Sequence, residues 1–224
     1  MGRGGLQCRD NVNRAGMMTI FSRQSLFSFL FIALCLFHQT CLAGLPAVNH
    51  KKLVADARSQ IWVTVFYDSA YRKIAYPGGD VPAYKGVCAD VVVRALRGQG
   101  LDLQKLIHED MQKNFSAYPK KWGLRAPDSN IDHRRVPNIA TFLRRSGKAI
   151  AITQDKADYQ PGDIVTWNLK GLGWNLRERD ASHIGIVSDK KSMDGVPLVI
   201  HNIGWGTREN DSLFKFRITG HFRL

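Results

Sequence analysis

One cysteine and two histidines make the most reactive pattern in the sequence. Cys88 follows Lys85-Gly86-Val87 and opens an apolar run of helical period. A helix N-terminus presents unpaired N–H groups and a partial positive charge, and both favour the thiolate, the nucleophilic form of cysteine. Cys88, Val91, Val92 and Ala95 share one face, so the thiol points to the interior or to a cleft beneath it. A plain core cysteine fits that pattern equally. A cysteine nucleophile needs a base, and the base needs an orienting partner. His183 opens the β-rich run Ile184-Gly185-Ile186-Val187, and His201 closes Leu198-Val199-Ile200, with residues 188–196 turning the chain between them. Pairing Val187 with Pro197 sets His183 opposite His201 on one face, where one imidazole can hold the tautomer of the other. A slip of one residue puts Asn202 there instead, and its amide can orient an imidazole as well. A lone strand histidine is more commonly structural; two that can meet on one face, in a domain left with one cysteine, fit thiol chemistry and a structural role equally.

The elements that must position these residues fall into two groups. Apolar spacing predicts helices over 49–65, 87–97, 101–113 and 138–145, the first capped by Asn49 and the second stopped by Gly98 and Gly100. Residues 67–86 and 114–137 read as loops, punctuated by Pro77-Gly78-Gly79, Pro82, Pro119, Pro127 and Pro137. From there the period changes to two, with short strands expected at 164–167, 183–187, 198–203 and 213–218. Helices followed by antiparallel strands make an α+β domain, its N-terminal helices packed on a small sheet.

The N-terminal 43 residues set the expected compartment. Arg3, Arg9, Arg14 and Arg23 precede an uncharged apolar stretch from Leu26 to Phe37, which ends at Cys41-Leu42-Ala43-Gly44. That order reads as a secretory signal peptide cut after Ala43, leaving residues 44–224 as one domain in the periplasm or outside the cell. The apolar stretch is short of the ~20 residues a spanning helix needs, so no membrane span is expected after cleavage. Cys8, Cys35 and Cys41 leave with the leader, and Cys88 remains alone. Across 224 residues, 32 Lys+Arg oppose 19 Asp+Glu for a net charge of +13. The leader holds four of those arginines and one aspartate, so +10 stays with the domain. Such a surface attracts nucleic acid, anionic lipid or cell-wall polymer. An exported chain with no base-reading helix or aromatic sheet motif argues against nucleic acid.

Chain order and local motifs resemble the NlpC-type cell-wall cysteine peptidases, a branch of the papain-like group. The resemblance rests on Tyr67 before an irregular loop, then Gly86-Val87-Cys88-Ala89-Asp90, Pro161-Gly162-Asp163-Ile164-Val165, His183-Ile184-Gly185-Ile186-Val187 and Val199-Ile200-His201. It covers most of residues 50–203. The family's usual Asp-Cys-Ser-Gly is replaced here by Val87-Cys88-Ala89-Asp90, and the 114–137 loop is long, so the bond cut is left open. The chain is also similar to a family of exported bacterial proteins without assigned activity, domain of unknown function 1287. That similarity rests on Ala75-Tyr76-Pro77-Gly78-Gly79-Asp80, on the stretch Asn130-Ile131-Asp132-His133-Arg134-Arg135-Val136-Pro137-Asn138 and on His201-Asn202-Ile203-Gly204.

The peptidase resemblance implies a papain-like fold and an exported hydrolase of peptide or amide bonds in peptidoglycan or its peptide fragments, with no cofactor. Cys88 would attack an acyl carbon, His183 would carry the proton and His201 would orient His183. The Cys88 amide would help hold the oxyanion, and Tyr67 would line the pocket or add a donor. Asn202, Asp90 and the cluster Asp132-His133-Arg134 are further candidates for orienting or substrate binding, Arg forks being suited to carboxylates. A salt-bridged loop explains that cluster equally well. Zinc held by Cys88, His183 and His201 lacks a close-spaced ligand pair. Trp122, Trp174 and Trp205 are candidates for stacking on sugars or for burial. Two further readings stay open: a thiol acyltransferase or thioesterase on the same scaffold, and a non-catalytic cell-wall-binding or adaptor domain.

Overall fold

Asn49 caps the first helix, α1 (His50–Arg58), its side-chain oxygen accepting the Lys52 amide at 3.0 Å. The computed structural model describes residues 45–169 and 181–224; the expected signal peptide (residues 1–43) and Trp174 lie outside them. α1 buries Leu53, Val54 and Ala57 on one face. It ends at Arg58, well before the residue 65 that apolar spacing suggests. Turn hydrogen bonds from Gln60 to Ala57 and from Val63 to Gln60 take over, and Trp62 adopts a left-handed φ of 67°. The β-branched run beyond it, Val63-Thr64-Val65, offers its backbone sideways instead, to Tyr84 and Thr207.

Two short parallel strands follow, β1 (Phe66–Tyr67) and β2 (Lys85–Gly86), with Tyr67 opposite Gly86. Next come α2 (Cys88–Arg97), α3 (Leu103–Asn114) and α4 (Val136–Arg145). The 114–137 segment carries two single 3₁₀ turns, Phe115–Ala117 and Asp132–Arg134. The remaining strands are β3 (Ala149–Ile150), β4 (Ile164–Asn168), β5 (His183–Lys191), β6 (Pro197–Asn202), β7 (Thr207–Asn210) and β8 (Arg217–Phe222). They form one antiparallel sheet in the order β3-β8-β4-β5-β6-β7. The domain is therefore α+β. Its last strand lies four residues beyond the expected start at 213. Leu213 is buried with its carbonyl accepting the Trp167 indole at 2.8 Å, and 217–222 carry the pairing to β4.

The two-residue period of the strands divides the core. Ile164, Ile184, Ile186 and Ile200 face the helices and join Leu53, Val91, Leu96 and Ile139 in the larger apolar cluster. Val165, Trp167, Val187 and Val199 face the other way, onto Tyr159, Leu213 and Ile218. By the same alternation His183 and His201 belong with Val187 and Val199, while Asn202 belongs with Ile200 on the helix side.

A buried ion pair ties the start of α2 to the 3₁₀ turn at Asp132–Arg134. Arg134 Nε and Nη2 donate to the two Asp90 oxygens at 2.8 and 2.9 Å, and both side chains are almost fully enclosed. Removing one partner of such a pair strands the other's charge in the interior. Arg134→Met is expected to lower the unfolding free energy by about 3–5 kcal/mol, read from the urea midpoint. A change within 1 kcal/mol (roughly the effect of a surface substitution) would show that the pair does not anchor α2.

Candidate functional site

Cys88 is placed by fixing the backbone on both sides of it. Val87, the residue capping α2, has an extended backbone, and its amide donates to Asp90 Oδ2 at 2.6 Å. Gly86 gives its carbonyl to Asn202 Nδ2 at 3.1 Å. A Cβ on Gly86 would lie 2.8 Å from Asp90 Oδ2, so the capping carboxylate needs glycine there. Arg134, besides holding Asp90, donates to the carbonyls of Asp68 at 3.0 Å and Ala70 at 3.2 Å. The loop after Tyr67 is thus bound to the same anchor.

The thiol is buried, and the amide of Ile184, the residue after His183, hydrogen-bonds its sulfur. Burial is the largest influence on its ionisation and pushes the Cys88 pKa up to about 12; the Asp90 charge adds to the rise. The amides of Ile184, Ala89 and Cys88 itself act in the opposite direction and are outweighed. The helix N-terminus does favour a thiolate, as its position in the sequence suggests, yet the low dielectric of the site dominates. Cys88 is a neutral thiol at rest, and no direct hydrogen bond joins it to His183 among the described residues.

The two histidines meet, though through a different register from the expected one. Ile186 pairs with Ile200 and Val187 with Val199, while Lys191 pairs with Pro197, so β5 carries two extra residues in a bulge near the hairpin. β5 runs to Lys191 and the turn closes over Ser192–Val196. The slip relative to the Val187–Pro197 pairing is two residues, which keeps every side chain on its face. His201 therefore lies diagonal to His183, opposite Gly185. A Cβ on Gly185 would approach the His201 Cβ to 3.1 Å. His183 Nε2 and His201 Nδ1 are 2.6 Å apart.

Hydrogen bonding fixes the tautomers. His201 Nε2 lies 3.0 Å from Asn210 Oδ1, which also accepts the Ser212 hydroxyl. A carbonyl oxygen only accepts, so His201 carries its proton on Nε2 and accepts at Nδ1. His183 must then donate from Nε2, and its Nδ1 keeps a lone pair. Burial, reinforced by His201, lowers the His183 pKa to about 3, and burial lowers that of His201 too. Both rings are neutral at pH 7, and Trp167 covers His183 at 5.8 Å between ring centres. Asn210 and Ser212 escape sequence reading because Thr207-Arg208-Glu209-Asn210 has no apolar alternation; β7 is held to β6 by backbone pairing.

The other expected site residues divide. Asn202 spans Gly86 O and the Gly204 amide on the helix side, so it positions the loop before Cys88 and does not orient His183. Tyr67 is close enough for Cys88 to influence it; burial first, then Cys88 and Asp90, push its phenol up to about 12. Asp90 caps α2 as described. Asp132 accepts the Asp128 amide and pairs with Arg135 at 3.0 Å, with burial raising its pKa. His133 is buried with Nδ1 unpartnered, and burial lowers its pKa to about 4. The Asp132-His133-Arg134 stretch is buried, with Arg134 paired to Asp90 and Asp132 to Arg135, so the salt-bridged loop is enclosed and not exposed. Arg134 does reach the wall of a pocket of about 340 Å³ that begins at Val87 and is completed by Ser69, Tyr71, Trp122, Ile131 and Arg135. Arg135 stacks on Trp122 at 4.2 Å. Among the described residues, no group of three or more His, Cys, Asp or Glu side chains is arranged to hold a metal ion, and no helix is long and apolar enough to cross a membrane.

Residues 54–224 match the family described as Domain of unknown function (DUF1287). The chain is also 55% identical over 176 residues to an Escherichia coli (strain K12) protein called Uncharacterized protein YijF, covering 78% of this chain and 82% of that one. No solved structure matches it.

A neutral thiol with a pKa near 12 ionises progressively as pH rises. Iodoacetamide labelling of Cys88 in the folded protein is expected to be slow at pH 7 and to climb about tenfold per pH unit through pH 9.5. A plateau below pH 8 would reveal a preformed thiolate–imidazolium pair. The depressed histidines contribute to the loss of stability towards acid. Unfolded imidazoles take up protons below pH ~6.5 while folded His133 and His183 refuse them until about 4 and about 3, so stability falls as pH falls. Each contributes a slope approaching 1.4 kcal/mol per pH unit. Urea midpoints between pH 7 and 5 should decline, less steeply in His133→Phe; equal slopes would sink this assignment.

Proposed function

The chain belongs to the DUF1287 family, and we propose that it is an exported papain-like thiol hydrolase acting on peptide or amide bonds of peptidoglycan. The observation that carries this reading is the relay Ser212–Asn210–His201–His183, which leaves a lone pair on His183 Nδ1 one residue from the amide that holds the Cys88 thiol. A cysteine opening a helix, with base and orienter on adjacent antiparallel strands later in the chain, is the papain-like order. The leader and the basic charge of the domain support an envelope substrate.

The chemistry starts from neutral partners. The alternation of β5 places His183 on the face away from the helices. As substrate enters, the thiol therefore leaves the Ile184 amide and meets the ring round the start of that strand; contacts absent from a resting site commonly tighten on binding. Sulfur attacks the acyl carbon while its proton passes to His183 Nδ1, and the resulting imidazolium donates from Nε2 to His201. The Cys88 amide stabilises the oxyanion. His183 then protonates the leaving amine, giving a thioester. Water attacks that thioester with His183 again taking the proton, which returns to sulfur as the acid leaves. The pocket at Val87 receives the substrate's acyl side, with Arg134 and Arg135 on its wall.

The raised thiol pKa favours a second reading, a wall-binding domain that keeps the scaffold without turnover. Mass spectrometry of peptidoglycan fragments incubated with the protein separates the two. The expected result is new amine-terminated products that Cys88→Ala abolishes. His183→Ala should lower kcat/KM by about 10²–10⁴-fold, and Asn210→Leu by less, with an altered pH profile from the freed His201 tautomer. Unchanged fragments with the wild-type chain, or full turnover by Cys88→Ala, would remove the hydrolase reading.

A further inference from the structure

Beside the nucleophile's loop, the surface carries a row of large aromatic side chains that the core leaves out. Trp62 is 75% exposed, Trp205 82%, Phe66 63% and Tyr84 53%. They come from three separate segments that the backbone locks together. Val65 and Phe66 both donate to the Tyr84 carbonyl at 2.9 and 3.1 Å, and Thr207 donates to Thr64 O at 2.8 Å. Gly206, with φ of 78°, lies so close to Thr64 and Val65 that a Cβ there would sit 2.5 Å from the Thr64 carbonyl oxygen. The Trp205 loop therefore cannot move independently of the Trp62–Phe66 segment.

We propose that this ridge binds the glycan strand of a carboxylate-bearing polysaccharide, so that the protein engages intact peptidoglycan polymer and not only its peptides. This rests on the reading above and extends it to the carbohydrate part of the substrate. Three observations favour a sugar polymer over a lipid surface. The ridge is continuous with the reaction centre: Phe66 adjoins Tyr67, which pairs with Gly86, and Asn202 binds Gly86 just before the Trp205 loop.

The rings are also mounted rigidly. Arg208 stacks on Trp62 at 4.5 Å, covering one face, and the indole remains largely in solvent. Trp62 is the non-glycine residue with positive φ among those described, a conformation disfavoured for a bulky side chain. Phe66 and Tyr84 meet edge to face at 6.2 Å. Flat faces fixed before binding suit stacking on the C–H faces of sugar rings, because little side-chain entropy is lost. Insertion into lipid requires no such preset orientation. Finally, Arg208 on Trp62 places a cation on the ridge, complementing carboxylates on the polymer.

The test separates binding from turnover. In the full-length Cys88→Ala chain, co-sedimentation with insoluble peptidoglycan sacculi should fall at least tenfold on adding Trp205→Ala, and further with Trp62→Gly, which suits the left-handed backbone and should keep the fold. Urea midpoints confirm that both variants are folded. With Cys88 intact, the same two substitutions should leave cleavage of a soluble peptidoglycan peptide within twofold of wild type. Sacculus binding unchanged by both substitutions would overturn the proposal. So would loss of binding to phosphatidylglycerol vesicles with sacculus binding retained, which would make the ridge a membrane face. If no peptide is cleaved even by the wild-type chain, the hydrolase reading fails while the sedimentation result still decides the ridge.

Discussion

Asp90 caps α2 with one carboxylate oxygen and gives both oxygens to Arg134, the two side chains being almost fully enclosed. Much else is arranged around that pair. The guanidinium also gathers the carbonyls of Asp68 and Ala70, so the loop after Tyr67, the helix start and the 3₁₀ turn at Asp132–Arg134 share one anchor. Gly86 is glycine because the carboxylate passes too close for a Cβ. A buried ion pair seldom adds net stability over apolar packing, but its geometry is unforgiving. Here that geometry sets the backbone before Cys88, and hence where the thiol stands relative to β5.

The same enclosure explains the protonation state of the site. Placing a cysteine at a helix N-terminus lowers its pKa when the thiol keeps some hydration. Cys88 has almost none, and a carboxylate sits two residues away, so burial and charge together outweigh three backbone amides. His183 is pushed the opposite way by the same cause, since a buried imidazole resists protonation. A site with a thiol near 12 and an imidazole near 3 cannot rest as an ion pair. Under the proposed hydrolase reading, proton transfer is coupled to bond formation at the acyl carbon, where charge builds on an oxygen that the helix amide can meet.

Legibility from sequence followed physical locality. The first turn of α2 and the strand at His183 were readable because their apolar periods and flanking residues are local signals. The meeting of His183 with His201 was legible through side-chain parity, which survives the two-residue slip introduced by the bulge between Val187 and Lys191. The one-residue slip that would have substituted Asn202 is excluded by Ile186 and Ile200, both of which face the helices. Asn210 and Ser212 were invisible, since a polar edge strand paired only through its backbone leaves no pattern. The apolar spacing of Leu53, Val54, Ala57 and Ile61 carries α1 too far because the backbone of Thr64 and Val65 pairs with Thr207 and Tyr84 instead. Asp132-His133-Arg134 read as an exposed charged loop because a sequence does not show that Arg134's partner is Asp90, 44 residues away.

A second polar centre clarifies why the sheet can hold the first so stiffly. Asp163, fully enclosed at the start of β4, accepts from His221 at 2.8 Å and from Arg223 at 2.7 and 2.6 Å. Tyr159 stacks on the His221 ring at 4.2 Å. This cluster pins β8 to β4, on the opposite flank of β4 from β5. With β4 fixed there, its pairing of Trp167 with His183 leaves the histidine strand little freedom to shift, and Trp167 is itself held through its indole to Leu213. On the other flank β7 supplies Asn210. His183 is thus gripped from both sides of its strand, by Trp167 on β4 and by His201 on β6.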